Sequence, residues 1–206
     1  MILSSESVFW DRIFLLKDAL FDPAGKLSQN RRGALIVVDL GSDLRPEDFL
    51  YSGTNIEAQL STDLLINLFA TDTPLHDGAV LVKGNKIISA GVILPLSRQG
   101  ISRYGTRHLA ALGITERFDR CICIVVSEET GTLSLANQGK LERPITSSRL
   151  QELLANLIGN QNSAGSNKAS LSKNILSQKT DSDDNIINNM NKKESEKSEI
   201  FINQKD

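Results

Sequence analysis

Apolar and polar residues succeed one another between about residues 33 and 158 in patterns that predict alternating strands and helices. The segments 34–38 and 121–126 are nearly continuous apolar runs, as is typical of strands buried on both faces. The segment 132–136 alternates between apolar and polar residues, as is typical of a half-exposed strand. The Gly84-Asn85 pair between two of the segments predicts a hairpin, because both residues tolerate positive φ. Strands are expected at 34–38, 79–83, 86–94, 121–126 and 132–136, with a turn at 137–139.

Apolar residues at helical spacing predict helices in the same region and before it. Ser61 and Thr146 are placed to cap two of them, and Ile145 is placed to pack against Leu150 as a hydrophobic staple. Gly113 is expected to end a third helix. Helices are expected at about 8–21, 61–69, 106–112 and 146–158, with a short one near 43–46. Together these elements predict an α/β fold, with a mixed central β-sheet flanked by helices.

Composition divides the chain into three parts. Residues 1–30 form an N-terminal amphipathic helix or connector, which is expected to dock on its own domain or on a second copy, with a membrane-surface role as the alternative. Residues 31–158 carry the strand and helix patterns of a packed domain. Residues 159–206 are rich in Asn, Ser, Lys, Asp and Glu without a lasting period, so they are expected to be a disordered polar tail.

Charge and cysteine content narrow the classes of function. The formal charge of −2 and the isoelectric point near 5.8 favour no nonspecific binding to nucleic acid. Cys121 and Cys123 would face the same side of one strand, so a disulfide between them is not expected. Two thiols without a second pair do not favour a zinc site either, and they are typical of a protein in a reduced compartment. No run of eighteen apolar residues predicts a transmembrane helix, and charged residues interrupt the N-terminal apolar positions of a would-be signal peptide.

The segment Thr73 to Ala79 carries the first candidate chemistry. Asp77 stands beside Gly78 just before a strand, so backbone can approach a ligand there while the carboxylate binds a divalent metal or accepts a hydroxyl proton. His76 is a second metal candidate, although a lone histidine is more often a packing residue. An Asp-Gly pair is by itself a common turn, and only its neighbourhood favours the functional interpretation.

Two further motifs have the chemistry that a phosphate ester requires. Gly105-Thr106-Arg107-His108 opens a helix, where free backbone N–H groups and an arginine fork attract anions and a histidine exchanges protons. Ser127-Glu128-Glu129 follows a buried strand, and adjacent carboxylates there either face water or hold a cation such as Mg²⁺ or Mn²⁺. Ordinary helix capping and a strand-to-turn connection are the structural alternatives for these two motifs.

Four motifs resemble, in order and spacing, those of the diadenylate cyclase domain. This is the catalytic domain of the DNA integrity scanning protein and of membrane-linked bacterial cyclases. The motifs are PLHDGA at 74–79, LPLS at 94–97, GTRH at 105–108 and SEETG at 127–131. The resemblance spans about 32–154 and identifies 31–158 as the catalytic domain.

The resemblance implies that two ATP molecules become cyclic di-AMP and two pyrophosphates, in a homo-oligomer whose active sites face each other across two protomers. It implies catalytic roles for Asp77, Arg107 and His108, and a divalent metal, Mg²⁺ or Mn²⁺, held by Asp77 and Glu128 with His76 as a lesser candidate. The residues implied to contact ATP are Gly78, Ala79, Leu94, Thr106, Arg107, His108 and Ser127.

Two departures from the family pattern stand out. Leu109 replaces the last cation of an Arg-His-Arg cluster, and Ile93 stands where related membrane-type enzymes often place a base-stacking tyrosine. Those relatives also carry N-terminal transmembrane helices, whereas no such helix is predicted in this sequence. This protein is therefore expected to be cytoplasmic, or membrane-associated if such a region is missing from the chain. A binding module that holds ATP or cyclic di-AMP without catalysis is the alternative function, and a structural oligomer without ligand is a weaker one.

Overall fold

A computed structural model describes the backbone of residues 5–99 and 103–159, with side chains from residue 16 onward. The α-helices are α1 (Ser5–Gln29), α2 (Thr62–Leu68), α3 (Thr106–Thr115) and α4 (Ser147–Gly159). The strands are β1 (Ala34–Asp39), β2 (Thr54–Gln59), β3 (Ala79–Lys83), β4 (Lys86–Val92), β5 (Cys121–Val126), β6 (Leu133–Asn137) and β7 (Lys140–Ile145). Short 3-10 helices occupy Pro46–Asp48 and Pro74–His76. The expected polar tail, 159–206, lies outside the described residues except for Gly159, which ends α4.

The strands form one seven-stranded sheet in the order β2-β4-β3-β1-β5-β6-β7. β1 runs parallel to β3, while the other neighbours are antiparallel. The mixed sheet predicted from the sequence is therefore confirmed. β1 and β5 pair along their whole length at its centre, and every residue of both strands is buried, as their apolar runs predict.

Alternate residues of the central strands serve two separate cores, because successive side chains of a strand point to opposite faces of the sheet. Ala34, Ile36 and Val38 face a core built with α1, α2 and α4, and Leu35 and Val37 face a smaller core built with α3. Helix α3 packs on the second face, and the residues at its beginning line a common cleft with Val126 at the end of β5. This arrangement positions the candidate site.

Helix α1 includes the predicted segment 8–21 and continues beyond it to Gln29. Leu20, Ala24 and Leu27 of its second half are buried in the first core, and the helix packs against α4 and α2. This part of the N-terminal region is thus packed into the domain. Among the residues that the structure describes, no helix combines the length and the apolar character that crossing a bilayer requires.

The predicted helix caps are present. The Ser61 hydroxyl accepts a hydrogen bond from the backbone N–H of Leu64, and the Thr146 hydroxyl accepts one from that of Arg149. The Gly84-Asn85 hairpin is also present, with Gly84 at a φ of 59°. Cys121 and Cys123 are free and buried, as expected.

Gly113 does not end α3, which continues to Thr115, so this prediction was wrong. A Cβ atom at Gly113 would lie 2.1 Å from the carbonyl oxygen of Pro95 and 2.7 Å from the backbone nitrogen of Ser97. The glycine therefore permits close contact between the helix and the loop that follows β4. Local sequence cannot distinguish this role from that of a helix stop.

Strand β6 is buried on both faces over most of its length rather than half-exposed. Its alternation is real, but the face bearing Ser134 is covered by α3, where the hydroxyl pairs with His108. Strands β2 and β7 were not predicted. Both lie at the edges of the sheet and are largely exposed, and β7 contains Pro144, so neither has an apolar pattern to reveal it.

Candidate active site

The predicted motifs lie next to strand termini on one side of the sheet, which we call the site end. The pairs Ala34 with Val126, Ala79 with Val92 and Leu133 with Ile145 all lie there. β1, β3 and β6 therefore begin at the site end, while β4, β5 and β7 finish there. The segment before β3, the loop after β4 and the loop after β5 consequently converge, although they are distant in sequence.

A cleft of about 940 Å³ opens at the site end of the sheet, beside the beginning of α3. All but one of the candidate site residues line it: His76, Asp77, Gly78, Leu94, Thr106, Arg107, His108, Ser127 and Glu128. The exception is Ala79, which is fully buried in the second core and is not among the lining residues. Apolar side chains, among them Leu35, Val92 and Ile93, form one wall.

Asp77 is exposed in the cleft at the end of the short helix Pro74–His76. The next residue, Gly78, has a φ of 149°, and a Cβ atom there would lie 2.6 Å from the carbonyl carbon of Gly91. Position 78 therefore requires glycine because β4 passes too close for a side chain. The tight β3–β4 contact holds the Asp77 carboxylate at the mouth of the cleft.

His76 donates a hydrogen bond from Nδ1 to the carbonyl oxygen of Thr73, which requires the proton to be on Nδ1. The other ring nitrogen, Nε2, then has a free lone pair whenever the ring is neutral. A backbone carbonyl that orients a histidine in this way is a common second partner of metal-ligating histidines. His76 thus has the chemistry of a metal ligand in the cleft.

Arg107 and Glu128 form an ion pair across the cleft, with Nη1 of Arg107 2.9 Å from Oε2 of Glu128. The pair lies over Gly33, where a Cβ atom would be 2.6 Å from Nη1 and 2.8 Å from Cζ of the arginine. The bare backbone at Gly33 therefore leaves the room that the guanidinium occupies. A cation bound at Glu128 would compete with Arg107 for the same carboxylate.

His108 is buried behind Arg107, with Nε2 3.2 Å from the hydroxyl of Ser134. Its ring centroid lies 6.4 Å from that of Tyr104. Burial, with a smaller contribution from the positive charge of Arg143, lowers the pKa of His108 below the ordinary 6.5. The ring is therefore neutral near pH 7, when it donates or accepts hydrogen bonds but carries no charge.

The beginning of α3 presents to the cleft backbone donors that have no acceptor among the residues that the structure describes. Gly105 is its N-cap and has no side chain to accept from the first turn, while the N–H of His108 already bonds to the Gly105 carbonyl. The N–H groups of Thr106 and Arg107 therefore remain for an anion. The Thr106 hydroxyl adds a third donor at the same place.

Leu109, where the family pattern has a cation, is buried and is not among the lining residues. Its carbonyl accepts a hydrogen bond from the backbone of Ser97, and the Ser97 hydroxyl donates to Glu116 at 2.5 Å. These bonds tie the loop after β4 to α3. The apolar wall and the anion-binding end of the cleft are thus held in fixed relation.

Sequence reasoning missed two arginines, Arg103 and Arg143, that line the cleft. Arg103 lies only two residues before Gly105, so its proximity to the motif was a usable signal. Arg143 lies on β7, which shows no strand pattern, and nothing local in the sequence associates it with the other motifs.

The described residues contain no cluster of three or more His, Cys, Asp or Glu side chains suited to holding a metal ion. The donors available in the cleft are the carboxylates of Asp77, Glu128 and Glu129 and the free nitrogen of His76. Mg²⁺ commonly uses one or two carboxylates together with substrate phosphates and water. The donor set therefore fits a metal that arrives with a phosphorylated ligand.

Comparison with family models matches residues 22–141, more than half of the chain, to the family described as DisA bacterial checkpoint controller nucleotide-binding. A diadenylate cyclase of Listeria monocytogenes is 47% identical over 130 residues, covering 62% of this chain and 46% of its own length. The cyclic di-AMP synthase CdaA of Bacillus subtilis is 41% identical over 139 residues, covering 66% of this chain and 50% of its own length. The chain thus spans about half the length of these relatives.

Solved structures give the same result. A cysteine double mutant of DacA from Staphylococcus aureus has a TM-score of 0.63 and 37% identity, over 69% of this chain and 95% of that one. A protein of Bacillus cereus described as a hypothetical membrane spanning protein has a TM-score of 0.55 and 43% identity, over 60% of each chain.

Proposed function

This chain belongs to the DisA-type nucleotide-binding family, the diadenylate cyclase domain family, and from that premise we propose that it condenses two ATP molecules into cyclic di-AMP with release of two pyrophosphates. In this reaction each ribose 3′-oxygen forms a bond to the α-phosphorus of the other nucleotide. The bond from that phosphorus to the pyrophosphate oxygen breaks, and pyrophosphate leaves with the electron pair. No net oxidation or reduction occurs.

One observation carries the proposal: Asp77, the beginning of α3, Glu128 and a set of apolar side chains line the same cleft. An acceptor for a hydroxyl proton, donors for phosphate oxygens and an apolar surface for a base are the parts that a nucleotidyl transfer requires. Phosphoryl transfer depends mainly on positioning and on charge stabilisation, which such fixed donors supply.

The residues have distinct proposed roles. Asp77 accepts the proton of the attacking 3′-hydroxyl, and adenine rests against Leu94 and Ile93. The α3 backbone donors, Thr106 and Arg107 hold phosphate oxygens. His108, neutral and buried, supports this arrangement through its hydrogen bond with Ser134 rather than through charge.

Two further residues and Ala79 complete the assignment. Ser127, directly after β5, contributes a hydroxyl to the phosphates, and Gly78 presents its backbone to the nucleotide from the lining of the cleft, while β4 passes too close for a side chain there. Ala79 acts indirectly, because its small buried side chain lets β3 pack beneath the site. Mg²⁺ or Mn²⁺ bound at Asp77 and Glu128, with His76 as an additional ligand, would neutralise phosphate charge.

The reaction requires two nucleotides, and we propose that a second protomer presents the other one across the mouths of two clefts. Leu50, Tyr51, Ile93 and Leu96 support this arrangement, since these large apolar side chains are between 40% and 72% exposed. Ile93 and Leu96 line the cleft, and Tyr51 pairs with Ile93 through the backbone. An exposed apolar rim of this kind is typical of a surface that becomes covered.

The test is an assay of purified protein with ATP and Mn²⁺ or Mg²⁺ that quantifies cyclic di-AMP and pyrophosphate. We expect two pyrophosphates for each cyclic di-AMP formed, and an Asp77→Asn variant that makes neither product while melting at the wild-type temperature. Asp72→Asn is the matched control, since Asp72 is exposed nearby and is not among the lining residues. Wild-type rates in Asp77→Asn would exclude the role of Asp77.

Dependence on protein concentration tests the second protomer. The rate per protomer should rise with concentration until the dimer saturates, because two half-sites must meet. Sedimentation velocity should show the dimer appearing over the same range. Full activity of a species shown to be monomeric would refute the face-to-face arrangement.

A further inference from the structure

The charges in the cleft are not balanced in pairs. Three arginines and three carboxylates line it, but Arg107 is committed to Glu128. Within the part of the chain that the structure describes, Arg103 and Arg143 have no carboxylate within 4.0 Å, so no ion pair holds either one. Two uncommitted guanidinium groups in one cleft are a binding opportunity for an anion of more than one charge.

Arg143 packs against the aromatic ring of Tyr104 and forms no ion pair with a described carboxylate. Its guanidinium carbon lies 5.7 Å from the centroid of the Tyr104 ring, within the range of a cation–π contact. Tyr104 in turn neighbours His108 near the beginning of α3. A contact with the ring face leaves the N–H groups at the edge of the guanidinium available for oxygen acceptors.

The sheet order separates the two ends of the cleft. Ile93 and Leu94 follow β4, the beginning of α3 and Ser127 lie near the end of β5, and Arg143 lies on β7. Five inter-strand steps separate β4 from β7, or about 24 Å at the usual strand spacing. An elongated ligand with its apolar end at β4 would therefore extend its other end past α3 toward β7.

We propose that Arg143, together with Arg103, forms a subsite for the terminal phosphates of a nucleoside triphosphate and for the pyrophosphate that leaves. This inference rests on the proposed function, whose base and α-phosphate contacts set the direction of the ligand. Arg107 and the α3 donors then hold the α-phosphate, and the two uncommitted arginines hold the β- and γ-phosphates. The subsite makes the cleft selective for triphosphates over monophosphates.

The subsite also accounts for the buried Leu109. Leu109 is buried and does not line the cleft, whereas Arg143 lines it from a different strand. The positive charge at the phosphate end therefore comes from β7 and from the segment before Gly105, rather than from the third position of the α3 motif.

The experiment compares two probes, the non-cleavable α,β-methylene analogue of ATP and AMP, by calorimetry with Mg²⁺. Arg143→Gln should weaken binding of the triphosphate analogue by about 10-fold or more, as expected for loss of a charge-assisted hydrogen bond. AMP binding should change less than about 2-fold, and Arg143→Lys should restore part of the loss. Lys140→Gln is the matched control, because Lys140 is an exposed cation on the same strand that does not line the cleft.

Kinetics give a second measurement. Arg143→Gln should raise KM for ATP more than it lowers kcat, and should weaken inhibition by added pyrophosphate. The Arg103→Gln and double variants should follow the same pattern with a larger combined effect. An equal loss of AMP and triphosphate binding, or unchanged triphosphate binding, would overturn the subsite.

The outcomes separate this inference from the function on which it rests. Wild-type protein that makes cyclic di-AMP while Arg143→Gln binds both probes normally refutes the subsite alone. Wild-type protein that makes no cyclic di-AMP but binds the triphosphate analogue through Arg143 refutes the proposed reaction and supports the subsite.

Discussion

Gly33→Ala tests whether the space beneath the Arg107–Glu128 pair matters to the site. An alanine Cβ at this position would lie 2.6 Å from Nη1 of Arg107 and 3.0 Å from Cβ of Glu128. Ordinary carbon contacts begin at about 3.5 Å, so the guanidinium must move by roughly 1 Å. The 2.9 Å contact between the two charged groups cannot survive that movement unchanged.

The effect on stability should be small. The backbone at Gly33 does not have a positive φ, so alanine is tolerated there and restricts the unfolded chain, a gain of about 0.4–1 kcal/mol. Glu128 is 60% exposed, and losing such a solvent-screened ion pair costs on the order of 0.2–1 kcal/mol. These two effects nearly cancel, so thermal unfolding should occur close to the wild-type temperature.

The effect on activity should be large, because a displacement of about 1 Å at a positioning group can cost on the order of 100-fold in rate. The assay is the initial rate of cyclic di-AMP formation over a range of ATP concentrations, beside a melting curve. Gly25→Ala is the control, since among the described residues nothing beyond its chain neighbours and the backbone of its own helix lies within 4 Å of a Cβ at Gly25. A rate within twofold of wild type, or a loss of activity explained by early melting, would refute the reasoning.

Three predictions concern α3 and its surroundings. Gly113→Ala should destabilise the protein by about 1–3 kcal/mol in urea unfolding, despite the better helix propensity of alanine, because the new Cβ would meet backbone atoms of Pro95 and Ser97; unchanged or higher stability would contradict this contact. The lowered pKa of His108 means that the unfolded chain binds this proton more readily than the folded one. Stability is therefore lost as pH falls below about 6.5, the usual histidine pKa, and His108→Gln should lose less over the same interval. Arg143→Gln should raise the pKa of His108 in an NMR titration by removing a neighbouring positive charge, and no upward movement would show that the two groups do not interact.

The fold was predictable where the signal is local. Continuous apolar runs reveal β1 and β5 because the strands at the centre of the sheet are buried on both faces. Caps at Ser61 and Thr146 reveal α2 and α4 because the first turn of a helix needs acceptors for its free N–H groups. Edge strands need neither burial on both faces nor capping residues, so β2 and β7 have no apolar or capping pattern that would predict them.

Burial of polar residues was less predictable. The segment 132–136 was expected to be a half-exposed strand, yet Ser134 is fully buried because α3 covers it and His108 pairs with its hydroxyl. The same helix explains the error at Gly113, where a neighbouring loop rather than a helix end requires the glycine. In both cases the deciding partner is distant in sequence.

The sequence by itself determined the mixed α/β architecture, the three motifs that supply candidate chemistry, and the family to which the chain belongs. These follow from periodicity, residue chemistry and spacing, all of which are written along the chain. Only the tertiary structure decided that Gly33 makes room for Arg107, that Leu109 is buried away from the cleft, and that Arg143 enters it. Each of these depends on which strands become neighbours, and strand order is set by the packing of the whole domain rather than by any local segment.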